Sequence, residues 1–337
     1  MPTFAGLFCG AGGMDLGFLQ AGFSPCFACD FDSDSVNTYR KNIHQSAVVA
    51  DVRSLHGEDL GKPDVILGGP PCQGFSVAGK MDPKDPRSQM IWEFCRLVGE
   101  ARPKAFVMEN VKSIVTLSKF SYVLEELFKR FSEFGYHLTW KVHIASDYGV
   151  PQLRERVFFI GTTGRNRICE PTKSTPPTVR QVIDFLPPPG VGANLGACSA
   201  KITMLSKPVL RKSPYAGMLF NGRGRPINLD SFSNTLPASM GGNMTPIIDE
   251  DSLRLGTRPW VVDYHKRLRR GQPPETTTPD RLRRLSVTEA AIIQSFPTGY
   301  VFEGKQSSQF RQIGNAVPPM MALAIAKALL ASLEKIQ

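Results

Sequence analysis

The strongest constraint on the fold of this chain is a regular alternation of apolar and amphipathic stretches over residues 1–162. Short apolar runs of strand character lie at 3–8, 26–30, 64–67, 105–108, 137–145 and 156–160. Amphipathic stretches of helical period lie at 14–21, 33–42, 88–101 and 121–134. Because strands that alternate with helices form sheets covered by helices on both faces, the pattern predicts a doubly wound α/β sheet.

The texture of the sequence changes after this region. In residues 164–283 prolines cluster, as in the run 187–189, glycines multiply, and the helical period fades. This composition predicts a second, smaller, irregular domain at 164–283, following a first domain at 1–163.

Regular patterning returns in residues 284–337. A capping box runs from Ser286 to Glu289, and an Ala/Leu-rich helix is predicted at 320–333. We expect this C-terminal segment to return to the first domain.

Charge is concentrated in one part of the chain. The formal net charge is +10, and residues 201–284 contain fifteen Lys and Arg against seven Asp and Glu, a difference of +8. Such a patch favours a polyanionic partner, because neutralised phosphates release their counterions. A solvated basic face has the same charge count, so both interpretations stay open here.

The seven cysteines are odd in number and irregularly spaced, which predicts a reduced, intracellular chain in the cytoplasm. The Met1 end shows no signal peptide, and no run approaches the about 18 apolar residues of a membrane span, so we expect no membrane. Cys26 and Cys29 form a CxxC pair without a second pair of ligands, and no metal is predicted.

A glycine-rich turn at residues 6–13 follows the first predicted strand and precedes the first helix. Its small residues let a ligand approach the strand end and the helix N-terminus. The turn departs from the dinucleotide pattern G-x-G-x-x-G, because the residue three after Gly12 is Asp15. This departure argues against a nicotinamide dehydrogenase.

Acidic and aromatic residues follow the next predicted strands. Asp30 ends the second strand and is placed for ribose hydroxyls, and Phe31 beside it offers a ring face. Asp51 and Val52 are placed to accept from an exocyclic amine. These residues predict an adenosine site without an obvious phosphate cradle.

Cys72 lies just beyond a predicted strand, on a loop stiffened by Pro70 and Pro71. Prolines fix φ, and flanking glycines allow close approach of another molecule, so the pattern indicates a presented nucleophile. The alternative is that Cys72 is a small buried hydrophobic residue.

Six short motifs, taken in order, resemble those of the C5-cytosine methyltransferase family. They are Phe8-Cys9-Gly10-Ala11-Gly12-Gly13, Gly69-Pro70-Pro71-Cys72-Gln73-Gly74-Phe75-Ser76, Glu109-Asn110-Val111, Gln152-Leu153-Arg154-Glu155-Arg156, Arg284-Leu285-Ser286-Val287-Thr288-Glu289 and Gln312-Ile313-Gly314-Asn315-Ala316-Val317. Residues 164–283 lack a match, and the resemblance implies that they are the variable target-recognition domain. Gly6 is a departure, because many members have an acidic residue in this strand.

The resemblance implies a Rossmann-like methyltransferase sheet with S-adenosylmethionine as cofactor and S-adenosylhomocysteine as product. The implied cofactor contacts are Phe8, Gly10, Gly12, Gly13, Asp30, Phe31, Asp51, Val52, Pro70, Asn315, Ala316 and Val317.

The implied catalytic group consists of Cys72, Gln73, Glu109, Arg154 and Arg156. C5 of cytosine is a poor nucleophile, and a thiolate that adds at C6 converts the ring into an enamine with electron density on C5. Glu109 is expected to hydrogen-bond N3 and N4, and Arg156 to donate to O2. Taken singly, Glu109 could be a surface carboxylate, and the two arginines a salt-bridged rim.

A base stacked in a duplex must be flipped out before its C6 is attacked. Residues 76–89 are interpreted as a lid with Gly79 as hinge, the alternative being an ordinary surface loop. Loops at 221–225 and 239–244 are candidates for base reading, the alternative being two ordinary turns. The implied DNA contacts are Ser76, Lys80, Arg87, Arg223, Arg225 and Asn243.

The leading hypothesis is a DNA (cytosine-5)-methyltransferase that acts on double-stranded DNA in a restriction-modification system. We expect a monomer, associated with the nucleoid through DNA, with a cognate endonuclease acting separately. Two alternatives stay open: a transfer RNA methyltransferase on the same scaffold, and a non-catalytic nucleic-acid-binding protein.

Overall fold

A computed structural model of the chain describes residues 1–71, 89–164 and 168–334. The strands are β1 (Thr3–Leu7), β2 (Ser24–Asp30), β3 (Ala47–Val49), β4 (Val65–Gly68), β5 (Ala105–Val111), β6 (His137–Ile144), β7 (Gln152–Leu153), β8 (Glu155–Thr162), β9 (Met204–Val209), β10 (Met218–Phe220), β11 (Ser233–Asn234), β12 (Ile247–Asp249) and β13 (Leu282–Arg284). The helices are α1 (Gly13–Gln20), α2 (Ser33–Asn42), α3 (Met90–Ala101), α4 (Ser113–Thr116), α5 (Ser121–Glu133), α6 (Val179–Ile183), α7 (Glu250–Leu255), α8 (Trp260–Arg269), α9 (Val287–Ile293), α10 (Gln306–Asn315) and α11 (Pro319–Leu333).

The predicted α/β sheet is confirmed. Seven strands form one sheet in the order β3-β2-β1-β4-β5-β8-β6. Strands β1 to β5 pair in parallel, whereas β8 is antiparallel to both β5 and β6. Each of the six predicted strands and four predicted helices begins within two residues of its expected start. The sequence analysis missed β3, an edge strand of three residues that is too short to show a period.

Helices cover both faces of the sheet. On β5, Phe106 packs into one core with Phe94 of α3 and Phe131 of α5. Its neighbour Val107 packs into a second core, which contains Ile325 of α11. Because successive side chains of a strand point to opposite faces, this division is the physical basis of the doubly wound arrangement.

The C-terminal helix α11 lies against α1. A Cβ atom at Gly17 would lie 2.5 Å from the backbone nitrogen of Leu323, so the close approach of the two helices requires glycine there. The predicted capping box is also present, since the Ser286 Oγ accepts from the Glu289 nitrogen at 3.0 Å and the Ser286 nitrogen donates to the Glu289 carboxylate at 2.9 Å. The division of the chain into domains stays a prediction.

Residues Gln306–Leu333 form a helical stretch long and apolar enough, by composition, to cross a membrane. Within this stretch, however, 56% of the most apolar window is buried inside the fold, and α11 contributes to the core shared with α1. Burial therefore accounts for its apolar character.

The segment 164–283 has short elements, as its composition predicts, but it also contains helices that the sequence analysis missed. Strands β9 and β10 form a two-stranded sheet, and β12 pairs with β13. The helix α8 contributes Val261, Tyr264 and Leu268 to a small core with Phe220 of β10. Surrounding prolines and glycines hide the period of this ten-residue helix in the sequence.

Candidate active site

A cleft of about 1280 Å³ opens at the edge of the sheet where β1, β2, β4 and β5 end. That volume exceeds the ~300–1,000 Å³ typical of a site for one small ligand, so two ligands have room side by side. The residues that line the cleft and that the sequence analysis had selected are Phe8, Gly10, Gly13, Asp30, Phe31, Asp51, Val52, Pro70, Glu109, Arg154, Arg156, Arg223, Asn315, Ala316 and Val317. Five of the six motifs therefore meet in this cleft.

The turn after β1 has an unusual backbone. Phe8, Gly10 and Gly12 have φ angles of 52°, 53° and 82°, in the left-handed region that favours glycine. A Cβ atom at Gly10 would meet no atom within 4 Å, so this residue faces open space in the cleft.

Gly12 and Gly13 serve packing. A Cβ atom at Gly12 would lie 2.2 Å from Cδ1 of Ile43, and one at Gly13 would lie 2.3 Å from the carbonyl oxygen of Val317. Gly12 thus allows the turn to pack behind the cleft, against the end of α2. Gly13 brings the turn onto the last motif, which forms another wall of the cleft.

Asp30 ties the end of β2 to this turn. Its Oδ2 accepts a hydrogen bond from the Gly10 nitrogen at 2.8 Å, and its Oδ1 accepts from the Asp32 nitrogen at 2.9 Å. Burial raises the pKa of the Asp30 carboxyl, and these backbone donors partly offset the effect. Each oxygen keeps a second lone pair for a ligand hydroxyl. Phe31, beside it, is 81% exposed at the rim.

Asp51 already has a partner. Its Oδ1 accepts from the Arg53 Nε at 3.0 Å, and hydrogen bonding from Arg53 lowers the pKa of this carboxyl. Asp51 lines the cleft with Val52, which is buried, so a ligand amine would have to share the carboxylate with Arg53.

Several predicted residues lie outside the described part of the chain. They are Cys72, Gln73, Ser76, Lys80 and Arg87, together with the rest of the predicted lid up to residue 88. The segment that leads to them is described: Pro70 lines the cleft, and its carbonyl oxygen accepts from the Asn110 Nδ2 at 3.3 Å. The start of this loop is therefore tied to β5, next to Glu109.

Glu109 and Arg156 form an ion pair in the cleft, with 2.8 Å between Arg156 Nε and Glu109 Oε1. The pair forms because β5 continues past its predicted end and runs antiparallel to β8, so that both side chains reach the same face. Burial raises the pKa of the Glu109 carboxyl, and Arg156 and Arg154 oppose that shift. A carboxyl in these surroundings can hold a proton for a ligand.

Arg154 has different surroundings from those expected of a catalytic residue. It is 1% exposed, and its guanidinium donates to the carbonyl oxygens of Leu236 and Asn315 at 3.4 and 3.3 Å. These bonds hold the segment 164–283 and the last motif together at one wall of the cleft.

Two buried glutamines, which the sequence analysis did not assign to the site, extend this network. Gln152 Oε1 accepts from the Leu236 nitrogen at 3.1 Å, and Gln152 Nε2 donates to Gln294 Oε1. Gln294 Nε2 in turn donates to the Ala316 carbonyl oxygen at 2.6 Å. The Gln-x-Arg-x-Arg spacing contained a signal for Gln152, whereas nothing local marked Gln294.

The loops at 221–225 and 242–244 lie against each other. The Gly224 nitrogen donates to the Asn243 carbonyl oxygen at 3.2 Å, which leaves the Asn243 side chain exposed. Arg223 lines both the cleft and an adjoining cavity that contains Arg225. Burial, with Arg211 and Arg223 nearby, lowers the pKa of Arg225.

The sequence of the chain is similar to known proteins over nearly its whole length. The sequence profile of the family described as C-5 cytosine-specific DNA methylase matches residues 3–331. The chain is 35% identical to the Type II methyltransferase M1.HphI of Haemophilus parahaemolyticus, over 97% of this chain and 86% of that protein. It is 32% identical to the Type II methyltransferase M.DdeI of Desulfomicrobium norvegicum, over 95% of this chain and 86% of that protein.

Solved structures of methyltransferases are similar to this structure over nearly the whole chain. A protein described as a DNA modification methyltransferase encoded within an E. coli prophage superposes with a TM-score of 0.71 at 26% identity, over 99% of this chain and all of that one. The Dnmt2 methyltransferase of S. pombe, at 15% identity and a TM-score of 0.69, shares the fold. The family resemblance read from the motifs is confirmed, and the chain belongs to the C-5 cytosine-specific DNA methylases, enzymes that methylate cytosine in DNA.

Proposed function

We propose that this enzyme transfers a methyl group from S-adenosylmethionine to C5 of a cytosine flipped out of a specific site in duplex DNA. The observation that carries the proposal is that one cleft contains two groups of residues. The carboxylates Asp30 and Asp51 lie at the end suited to a nucleoside, and the Glu109–Arg156 ion pair lies in the same cleft. Pro70 and Pro71, which lead to Cys72, line the same cleft.

The residues present fit this cofactor. S-adenosylmethionine supplies an electrophilic methyl group when bound, and it carries two positive charges and an adenosine. Asp15, Asp30 and Asp51 give the cleft acidic groups, and Gly10 leaves space for a ligand at the turn. Asp30 would hold the ribose hydroxyls, and Phe31 would pack on the adenine.

Cys72 is the proposed nucleophile. Its thiolate adds to C6 of cytosine, and the electrons of the C5–C6 double bond move toward C5 and N3. Glu109 holds a proton at N3, and Arg156 donates to O2, so that the charge of the adduct is absorbed. After methylation, loss of the C5 proton expels the Cys72 thiolate.

Arg154 is reassigned in this proposal to positioning, because its donors already hold two backbone carbonyls. Arg223 and Arg225 would contact DNA, with Arg223 closest to the cleft. The Type II names of the relatives support a role in restriction-modification. The proposal extends to a separate cognate endonuclease and to a cytoplasmic monomer.

The test is methyl incorporation from labelled cofactor into duplex DNA and into transfer RNA, with bisulfite sequencing to identify the site. We expect incorporation into duplex DNA, and Cys72→Ala should abolish it while cofactor binding persists. Duplex DNA with 5-fluorocytosine at the site should trap the wild type covalently, because fluorine cannot leave as a proton does.

Cys26→Ala is the matched control, because Cys26 lies near the start of β2, at the end of the strand away from the cleft, and should leave methylation intact. Methylation of transfer RNA alone, or a covalent adduct on a cysteine other than Cys72, would contradict the proposal.

A further inference from the structure

Gly6 and Asp15 occupy one space between β1 and α1. A Cβ atom at Gly6 would lie 2.1 Å from Asp15 Oδ2, so any side chain at position 6 would displace the carboxyl of Asp15. In the sequence, Gly6 is a departure from the family pattern and Asp15 breaks the glycine pattern, and neither feature points to the other. In the structure, β1 has no acidic side chain at position 6, and the carboxyl of Asp15 on α1 occupies the space that such a side chain would fill.

Asp15 is 1% exposed, and neither carboxylate oxygen has a hydrogen-bond partner in the part of the chain that the structure describes. Burial raises its pKa to about 7, and the nearby Tyr39 hydroxyl, although not in hydrogen-bond geometry, opposes this shift. A buried carboxyl without a donor is costly, which is why such groups are usually paired.

Among the residues that the structure describes, the groups that face Asp15 from the surrounding elements carry no positive charge. They are Tyr39 of α2, Tyr300, Cys9 of the glycine turn and Cys29 of β2. Burial raises the pKa of each, so all four are neutral near pH 7. The helix α11 meets α1 through apolar residues.

The position of Asp15 in the cleft points to a ligand. In the sheet, β1 lies between β2, which carries Asp30, and β4, which leads to Pro70. Asp15 lines the cleft between these two ends. A nucleoside with its ribose at Asp30 and its reacting end toward Pro70 therefore extends past Asp15.

We propose that Asp15 recognises the α-ammonium group of the amino-acid tail of S-adenosylmethionine. The ammonium carries three N–H donors for the two unpaired oxygens, whereas the sulfonium has none. In this buried site the charge pair is screened less than on the surface. The inference rests on the proposed cofactor.

Binding of a cation beside Asp15 favours its charged form. At about pH 6.5 a carboxyl with a pKa of about 7 is mostly protonated, so ammonium binding should release a proton. Proton release is a readout that a purely structural role for Asp15 does not predict.

The experiment is calorimetric titration of the full chain at about pH 6.5, in two buffers of different ionisation enthalpy. The ligands are S-adenosylmethionine, S-adenosylhomocysteine and 5′-methylthioadenosine, the last of which lacks the ammonium. Asp15→Asn should weaken the first two by at least about tenfold, abolish the proton release and leave the third unchanged. Unchanged affinity for 5′-methylthioadenosine also shows that the variant is folded.

Asp30→Ala is the matched control and should weaken all three ligands, because it acts on the ribose. A loss confined to S-adenosylmethionine would assign Asp15 to the sulfonium, and an equal loss for all three would make its role structural; either result overturns the inference. So does unchanged binding and proton release in Asp15→Asn. Failure of the wild type to bind S-adenosylmethionine would instead contradict the proposed function.

Discussion

Arginines in two regions of the molecule have contrasting surroundings. At the cleft, Arg156 lies 2.8 Å from Glu109, so its charge is matched inside the protein. In the segment 164–283, Arg223 and Arg225 form no ion pair within the described residues, and together with Arg211 they repel one another. The positive charge of Arg156 is thus neutralised by Glu109, whereas the charges of Arg223 and Arg225 stay available for a negatively charged partner.

Most other arginines of residues 201–284 resemble Arg156, because their charges are also matched by a carboxylate. The ion pairs are Arg254 with Glu250 at 3.1 Å, Arg258 with Asp263 at 3.1 Å, Arg267 with Glu275 at 2.5 Å, Arg281 with Asp249 at 2.6 Å and Arg283 with Glu289 at 2.7 Å. A charge count over 201–284 cannot separate these structural arginines from those available to a polyanion. The structure reduces the candidates for DNA contact from the eleven arginines of residues 201–284 to the six that form no ion pair within the described residues.

The largest effect is expected at the cleft. Glu109→Gln keeps the shape of the side chain but cannot exchange a proton with N3, so the single-turnover rate of DNA methylation should fall about 10³-fold. Cofactor affinity should not change. Glu133→Gln, at an exposed position on α5, is the control and should keep the wild-type rate. A Glu109→Gln rate within tenfold of the wild type would remove Glu109 from the mechanism.

A smaller effect is expected from the buried arginine beside the cleft. Arg154→Met removes two hydrogen bonds from a charged donor and should lower the free energy of unfolding by about 3 kcal/mol, measured by denaturant titration. Arg270→Met, at an exposed position, should change it by less than about 0.5 kcal/mol. Full stability with lost activity in Arg154→Met would restore this residue to the catalytic group.

The smallest effect is expected in the basic segment. Arg223→Ala and Arg225→Ala should each cost about 1–3 kcal/mol on the cognate site if the side chain reaches a guanine edge, and should relax specificity at one position. If the contact is to phosphate, binding should weaken on all sequences and the salt slope should fall by about one unit.

Competition binding at two salt concentrations, with cognate and single-mismatch duplexes, distinguishes these outcomes. Arg258→Ala, which breaks an existing ion pair with Asp263, should leave DNA affinity unchanged and serves as the matched control. Wild-type affinity in both Arg223→Ala and Arg225→Ala would place the loop at 221–225 outside the interface.

Much of the sheet could be predicted from the sequence because its signals are local. Apolar period and turn residues located β4 and α2, and short motifs located Glu109 and Arg156. Contacts between distant residues could not be predicted in this way. The bond between Arg154 and Leu236 joins residues 82 positions apart, and no periodicity encodes it.

The surroundings of Asp15 also could not be predicted from the sequence. The sequence reveals an acid beside a glycine turn, but its burial and its contact with Gly6 depend on how α1 packs on β1. The helix α8 was missed because prolines and glycines surround it, and its apolar face packs against residues distant in sequence, among them Phe220 of β10 and Ile247 of β12.

The short pairing of β7 with β11 has a consequence for exchanging modules between enzymes of this family. Ser233 and Asn234 pair with Gln152 and Leu153, so the middle of the segment 164–283 is hydrogen-bonded to a strand that precedes this segment. A chimera that imports the segment 164–283 from a relative must keep this pairing and the Leu236 backbone that follows it. Otherwise the graft would loosen the wall of the cleft that Leu236 and Arg154 line.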